Sequence, residues 1–153
     1  MVRMIREAIS PLSVQKRRAR VVEMTPFKRF IKVYQKSETI FEESSLGREM
    51  YIIHSGKVKL STKATGREVI LATLGPGEFF GEMALVDAAP RSATATALDD
   101  NTRLIILDQA KFLYLVSHQP AFSLTVMHVL CNRIRQTNIL LKTDKGAMRN
   151  GDS

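Results

Sequence analysis

Apolar positions recur with two different periods along this chain. Between residues 26 and 107 they come in short runs of strand length. Lys57-Val58-Lys59-Leu60-Ser61 alternates polar and apolar, as a strand with one covered face does. Phe27-Lys28-Arg29-Phe30-Ile31-Lys32-Val33 alternates in part, and Glu49 to His54 is an apolar run rich in β-forming residues. Glu68 to Ala72, Ser92 to Leu98 and Thr102 to Leu107 complete the set. Turn residues punctuate the runs. Ser55-Gly56 suits a tight hairpin, Ala64-Thr65-Gly66 precedes the strand at Glu68, and Asp99-Asp100-Asn101 joins the last two. Many short strands at short, regular spacing predict a β-sandwich or barrel, with jelly-roll closure one option.

After Leu107 the period lengthens. Asp108 is a good N-cap for a short helix through about Ser117. Pro120 then stands where a first helical turn tolerates proline, ahead of a long helix over 121–142. Leu124, Met127, Leu130, Ile134 and Leu141 fall near one face of it, while Arg133, Arg135 and Lys142 reach water. That apolar face is expected in the core; pairing with a twin in a dimer is the alternative. At the other end, residues 3–9 and 12–22 read as short helices divided by Pro11, with Ser10 or Ser13 as a cap. The expected organisation is a basic helical segment over 1–25, one mainly β domain over 26–143, and a flexible tail over 144–153.

Composition sets bounds on this picture. A chain of 153 residues, 44% apolar and 25% charged, suits one ordinary globular domain with a real core. No apolar run is long enough to span a membrane, and the N-terminus lacks an apolar signal core. The single cysteine, Cys131, has no internal disulfide partner, which suits a reducing cytoplasm; a packed or partly exposed thiol is its plain reading. Charge is uneven. Residues 1–36 hold ten Lys/Arg against two Glu, and residues 37–153 hold thirteen of each sign, so the whole surplus of +8 sits at the N-terminal end. Such an arm attracts nucleic acid, an acidic partner or an anionic surface; as a solvated leader it only keeps the chain soluble.

The chemistry concentrates in Phe79-Phe80-Gly81-Glu82-Met83-Ala84-Leu85 and Ala89-Pro90-Arg91-Ser92-Ala93-Thr94. An arginine and a carboxylate in an apolar, turn-rich window are costly unless each meets a partner. Gly81 lets backbone approach a ligand, and residues 82–87 suit one short helical turn whose free N–H groups face an anion. Arg91 offers a charged fork for a phosphate, and Glu82 an acceptor for a sugar hydroxyl. A mutual salt bridge between Glu82 and Arg91 is the plain alternative. The window is no P-loop, since no Lys-Ser/Thr follows its glycines, and its glycine spacing does not fit a dinucleotide fingerprint.

Taken together, Phe-Gly-Glu-Met-Ala-Leu, four residues, then Pro-Arg-Ser-Ala-Thr resembles the phosphate-binding cassette of the cyclic-nucleotide-binding domain. That domain occurs in catabolite activators, protein kinase A regulatory subunits and gated channels. Met50-Tyr51-Ile52-Ile53-x-Ser55-Gly56-x-Val58 matches a second signature, with Gly47 and Gly56 at turn positions. The resemblance covers about residues 27–142. It implies a mainly β fold with helices: an eight-stranded antiparallel β-roll, jelly-roll-like, with N-terminal helices and a C-terminal lid or dimerisation helix. It also implies that Glu82 and the Gly81 backbone hold a ribose 2′-hydroxyl. Arg91, with backbone near Ala84 and Ser92, would hold the cyclic phosphate, and Met83 and Leu60 would pack on ribose or base. Thr137 falls where the activator contacts adenine from its long helix; Asn138 departs from the activator's serine. Ser92 tilts the ligand toward cAMP, because cGMP-selective members often have threonine there; cGMP remains compatible. Ser37 and Glu43-Ser44-Ser45 depart from glycine-bearing turns of the family, and altered loops away from the site are expected.

Other chemistries are not expected. His54, His118 and His128 are too far apart in sequence to suggest a metal site, and each is read as structural. No nucleophile elbow or catalytic Cys/His signature occurs, so no enzyme is expected. Only eleven residues follow Lys142, which leaves no room for the helix-turn-helix of a catabolite activator. The expected function is a cyclic-nucleotide sensor, cAMP-favoured and without metal, that signals through 121–142 to an effector or a second copy. The alternative is a regulator of the same fold that takes another ligand, or nucleic acid through its basic arm.

Overall fold

The computed structural model describes residues 30–149. The N-terminal helices and basic segment expected over 1–25 lie outside the described residues. Eight strands form: β1 (Ile31–Tyr34), β2 (Thr39–Phe41), β3 (Met50–Ser55), β4 (Val58–Thr62), β5 (Val69–Leu74), β6 (Phe79–Phe80), β7 (Thr94–Ala97) and β8 (Thr102–Leu107). Helices α1 (Glu82–Asp87), α2 (Gln109–His118) and α3 (Pro120–Arg149) complete the described chain. The chain divides into two compact units, with the boundary between Tyr114 and Leu115.

In the first unit, the strands build two antiparallel four-stranded sheets, ordered β1-β8-β3-β6 and β2-β7-β4-β5. This is the eight-stranded jelly-roll-like architecture that the sequence suggested. Both sheets turn their apolar sides inward. Tyr51, Ile53, Phe80 and Leu104 come from one sheet; Val58, Leu74, Ala95 and Ala97 come from the other. Alternation explains the choice. In β7 the alanines point in and Thr94 and Thr96 do not, and in β8 Arg103 is exposed between buried Thr102 and Leu104. Met50 to Ile53 are buried without alternation, because β3 lies inside its sheet between β8 and β6 with both faces covered.

Ser55-Gly56 is not a hairpin, contrary to its turn signal. β3 belongs to one sheet and β4 to the other, so the turn carries the chain between layers. Gly56 adopts φ 85°, and a Cβ there would lie 2.9 Å from the Thr102 Cα. Only glycine turns the chain this closely against β8. Ala64-Thr65-Gly66, by contrast, joins the paired strands β4 and β5, closed by the Gly66 N–H donating to the Lys63 carbonyl at 2.9 Å.

Both serine departures adopt the conformation glycine favours. Ser37 has φ 69° and Ser44 φ 67°. The loops keep their left-handed geometry, with a residue that enters it at a cost of about 1–2 kcal/mol. Glycine's extra unfolded-state entropy offsets part of any gain. Ser37→Gly is therefore expected to raise unfolding free energy by up to about 1 kcal/mol, read as a shift in urea midpoint at constant slope.

The helices follow their caps. The Lys111 N–H donates to the Asp108 carboxylate at 2.9 Å, which starts α2 where the sequence placed it and holds the Asp108 carboxyl below its ordinary value. In the second unit, α3 runs to Arg149, past the boundary at 143 and through the stretch expected to fray. The face expected in the core also differs. Leu124, Met127, Ile134 and Leu141 are exposed, while Phe122, Val126 and Val129 are the buried residues of α3. No helix among the described residues is long and apolar enough to cross a membrane.

Candidate functional site

The site is built around a buried cation. Arg91 is 5% exposed. Its backbone is clamped in the loop after α1. The Arg91 N–H donates to the Ser45 carbonyl at 2.9 Å, and the Arg91 carbonyl accepts from the Ser44 N–H at 2.7 Å. The Glu43-Ser44-Ser45 turn thus lies against the site, not away from it, and it fixes the arginine's starting point. Next to it, the Glu43 N–H donates to the Thr94 hydroxyl at 2.9 Å, tying the same turn to β7.

From that clamp the side chain reaches under the start of α1. Arg91 Nη1 donates to the Glu49 carbonyl at 2.8 Å and to the Gly81 carbonyl at 3.0 Å. Its Cζ sits 4.2 Å from the Phe41 ring centroid and 5.8 Å from that of Tyr51. Tyr51 stacks on Phe80 with centroids 5.2 Å apart, so the two rings that floor the guanidinium are themselves backed by Phe80. These partners are neutral carbonyls and ring faces, which hold a desolvated cation without cancelling its charge. Arg91 Nε is buried with no hydrogen-bond partner. A buried donor left unpaired costs about 1–3 kcal/mol, more on a charged group, so this geometry favours an incoming acceptor.

Two glycines make the room. A Cβ on Gly47 would lie 2.8 Å from Arg91 Nε and 2.9 Å from its Cζ. Gly81, at φ 78°, precedes α1 in left-handed geometry, and a Cβ there would fall 2.8 Å from Arg91 Nη1 and 3.2 Å from the Glu49 carbonyl. Gly81 was singled out for close approach; here the close neighbour is the arginine itself. Glu82 opens α1 and is half-buried, Met83 is exposed beside it, and Ala84 is buried. The Ser92 hydroxyl lies 3.8 Å from Met83 Sδ, which brings the two ends of the cassette together. Leu60, on β4, is half-buried against the core. Thr137 lies on α3 in the second unit, exposed, its hydroxyl donating to the Arg133 carbonyl at 3.0 Å.

Sequence reading did not find Phe41 or the Glu49 carbonyl, and it took Gly47 only as a turn. Each acts on Arg91 across 42 or more positions, which no local spacing reveals. Of the other candidates, Cys131 is exposed, and the His128 ring lies 3.1 Å from the Asn132 amide. Among the described residues no cluster of His, Cys, Asp or Glu is placed to hold a metal.

Tyr51 reports on this desolvation. Burial pushes its phenol up to about 12, the Glu49 carboxylate adds to the rise, and Arg91 opposes it. The folded value lies above the ordinary phenol value of 10.0, so the unfolded chain gives up this proton first. The stabilisation is complete below pH 10 and drains away between pH 10 and about pH 12. Denaturant stability is expected to fall across that window, and Tyr51→Phe to flatten part of the fall.

Comparison with known proteins agrees with this geometry. The family model for the cyclic nucleotide-binding domain matches residues 31–119. A cyclic AMP receptor protein of Thermus thermophilus is 39% identical over 111 residues, which cover 72% of this chain and 51% of the relative. A CRP-like cAMP-activated global transcriptional regulator of Mycobacterium tuberculosis is 35% identical, over 69% of this chain and 47% of the relative. The chain thus spans about half the length of these curated relatives. The crystal structure of the Thermus thermophilus catabolite activator protein superposes with a TM-score of 0.69 at 33% identity, over 90% of this chain and 61% of that one.

Proposed function

The chain belongs to the cyclic nucleotide-binding domain family, and we propose that it is a regulatory sensor of cyclic nucleotide, with cAMP favoured. The observation that carries this is the buried Arg91 guanidinium, held by neutral groups, with Nε unpaired. A cyclic phosphate supplies the acceptor that this cation lacks. In this reading Arg91 takes the phosphate, together with backbone near Ala84 and Ser92. Glu82 and the Gly81 backbone take the ribose 2′-hydroxyl. Met83 and Leu60 pack on ribose or base, and Thr137 of α3 serves the base. Ser92 follows Arg91 where cGMP-selective members often carry threonine, which supports cAMP over cGMP.

The protein performs no chemistry on the ligand and needs no metal. Its output is the arrangement of α3, which presents exposed apolar residues to an effector or a second copy. The exposed free thiol of Cys131 suits a reducing cytoplasm. Titration calorimetry with cAMP and cGMP is the test. Saturable binding with cAMP tighter supports the reading; no heat with either nucleotide at millimolar concentration rejects it.

One observation supports a second reading. The whole charge surplus lies in residues 1–36, as nucleic-acid-binding arms require. Gel shifts across a salt series decide it, since binding through phosphates weakens steeply with salt.

A further inference from the structure

Glu68 braces the β4–β5 hairpin from within, accepting from Lys59 Nζ across it at 2.7 Å. Glu43 braces the same hairpin from outside, out of the turn that follows β2. One of its carboxylate oxygens accepts from the Thr62 hydroxyl at 2.6 Å, and the other from the Lys63 N–H at 3.1 Å. The Thr62 hydroxyl, and after it the Lys63 N–H, hold the Glu43 carboxyl below its ordinary value. Both bonds therefore end on a charged acceptor, the stronger kind. The Thr62 oxygen also accepts from the Ala64 N–H at 3.2 Å, and the Gly66 N–H closes the turn on the Lys63 carbonyl at 2.9 Å. Glu43 is thus seated on the whole β4–β5 turn.

On its other side the 43–45 turn holds the cation. The Ser44 N–H and the Ser45 carbonyl clamp the Arg91 backbone, and the Glu43 N–H donates to the Thr94 hydroxyl. Ser44, between these anchors, has φ 67°. A residue other than glycine persists in that geometry only where its surroundings over-determine it. Here they are Arg91 on one side and, through the Glu43 carboxylate, the β4–β5 turn on the other.

We propose that Glu43 is a positioning residue for the anion site: by seating the 43–45 turn on the β4–β5 turn, it fixes the backbone from which the Arg91 guanidinium reaches the pocket. The inference deepens the nucleotide reading above, and adds to it a turn that lies outside the cassette. Glu43 acts through Arg91, not on the ligand. When its carboxylate is released, Ser44 relaxes out of left-handed geometry and the clamp on Arg91 loosens. The link runs both ways, so a ligand that fixes Arg91 also steadies the β4–β5 turn.

The test reads Arg91 directly, in the full chain without ligand. Its Nε–H is buried with no partner. It should give a slowly exchanging signal in a nitrogen–proton NMR spectrum, identified by its loss in Arg91→Lys. Glu43→Ala is expected to shift that signal, speed its exchange, and weaken cAMP binding about two- to thirtyfold. Glu43→Gln is expected to behave like the wild type, because its amide oxygen takes the Lys63 N–H while its amide nitrogen donates to the Thr62 hydroxyl. A carboxylate acting on the ligand only through its charge predicts otherwise: both variants lose that charge, and both would bind an anion more tightly. Glu68→Ala loosens the same hairpin without reaching the 43–45 turn, and should leave the Arg91 signal and the affinity unchanged. Thr62→Val removes the shorter bond from its other end. It should move the Arg91 signal in the same direction as Glu43→Ala and add nothing when combined with it, which keeps the test open if Glu43→Ala fails to fold. Added cAMP is expected to slow exchange of the Gly66 N–H in the wild type and not in Glu43→Ala.

An unchanged Arg91 signal in both Glu43→Ala and Thr62→Val, or an equal change in Glu68→Ala, overturns the proposal. So does tighter binding by Glu43→Gln. The nucleotide reading stands or falls separately. If Arg91 responds as expected while no chain binds cAMP, only that reading fails. If Glu43→Ala binds cAMP as the wild type does, only the positioning role fails.

Discussion

Arg91→Ala is expected to remove most cyclic-nucleotide affinity while leaving the roll folded. In the proposed reading the guanidinium takes the cyclic phosphate, and truncating one partner of a buried, hydrogen-bonded charge pair costs about 2–5 kcal/mol. At about 1.4 kcal/mol per tenfold, that is a loss of roughly thirty- to several-thousand-fold in cAMP affinity. Folding should suffer less. The side chain contributes two hydrogen bonds to carbonyls and contact with Phe41, but it also carries a buried charge and the unpaired Nε. Removing it frees the Glu49 and Gly81 carbonyls and at the same time ends that desolvation penalty. Calorimetry reads the affinity and thermal melting the fold. Arg91→Lys separates charge from shape: it keeps the cation but loses the fork, so it is expected to bind between the wild type and the alanine variant. Wild-type affinity in Arg91→Ala, in a chain that melts normally, would sink the nucleotide reading.

How this pocket was visible in the sequence depends on the range over which each residue acts. Gly81, Glu82, Arg91 and Ser92 lie within a dozen positions of one another, so their spacing carries a recognisable pattern. β4, whose sequence alternates cleanly, was legible for the same local reason. β2 and β6 were not, because three and two residues are too few to show a period. The Ser55-Gly56 turn misled because a tight turn looks alike whether its strands pair with each other or leave for separate sheets. The face of α3 misled because the helix is apolar on two sides. Periodicity finds the wider stripe, and only packing tells which stripe the chain itself covers. The aromatic floor was hidden most completely. Phe41 reads as one apolar residue in a short run, and nothing nearby announces that a guanidinium fifty positions later will lie on its ring.

Gly47 allows that long-range geometry to be tested apart from the charge. Gly47→Ala adds one methyl group whose carbon would lie 2.8 Å from Arg91 Nε and 2.9 Å from Cζ. No Cβ tolerates such contacts, so the guanidinium has to move. Gly47 is not in left-handed geometry, so alanine brings no backbone strain of the kind Gly81 or Gly56 would suffer. The variant therefore keeps the cation, the cassette and the backbone, and displaces only the fork. Misaligning a hydrogen bond to a charged group forfeits about 1.5–3 kcal/mol. The expected result is a loss of about ten- to a hundredfold in cAMP affinity with little change in melting temperature. Gly75→Ala is the matched control, since a Cβ there meets nothing within 4 Å and its φ is ordinary. It should bind and melt like the wild type. If Gly47→Ala also binds like the wild type, the position of the guanidinium does not govern affinity. The pocket would then attract its ligand by charge alone, and Arg91→Lys should in that case bind as well as arginine.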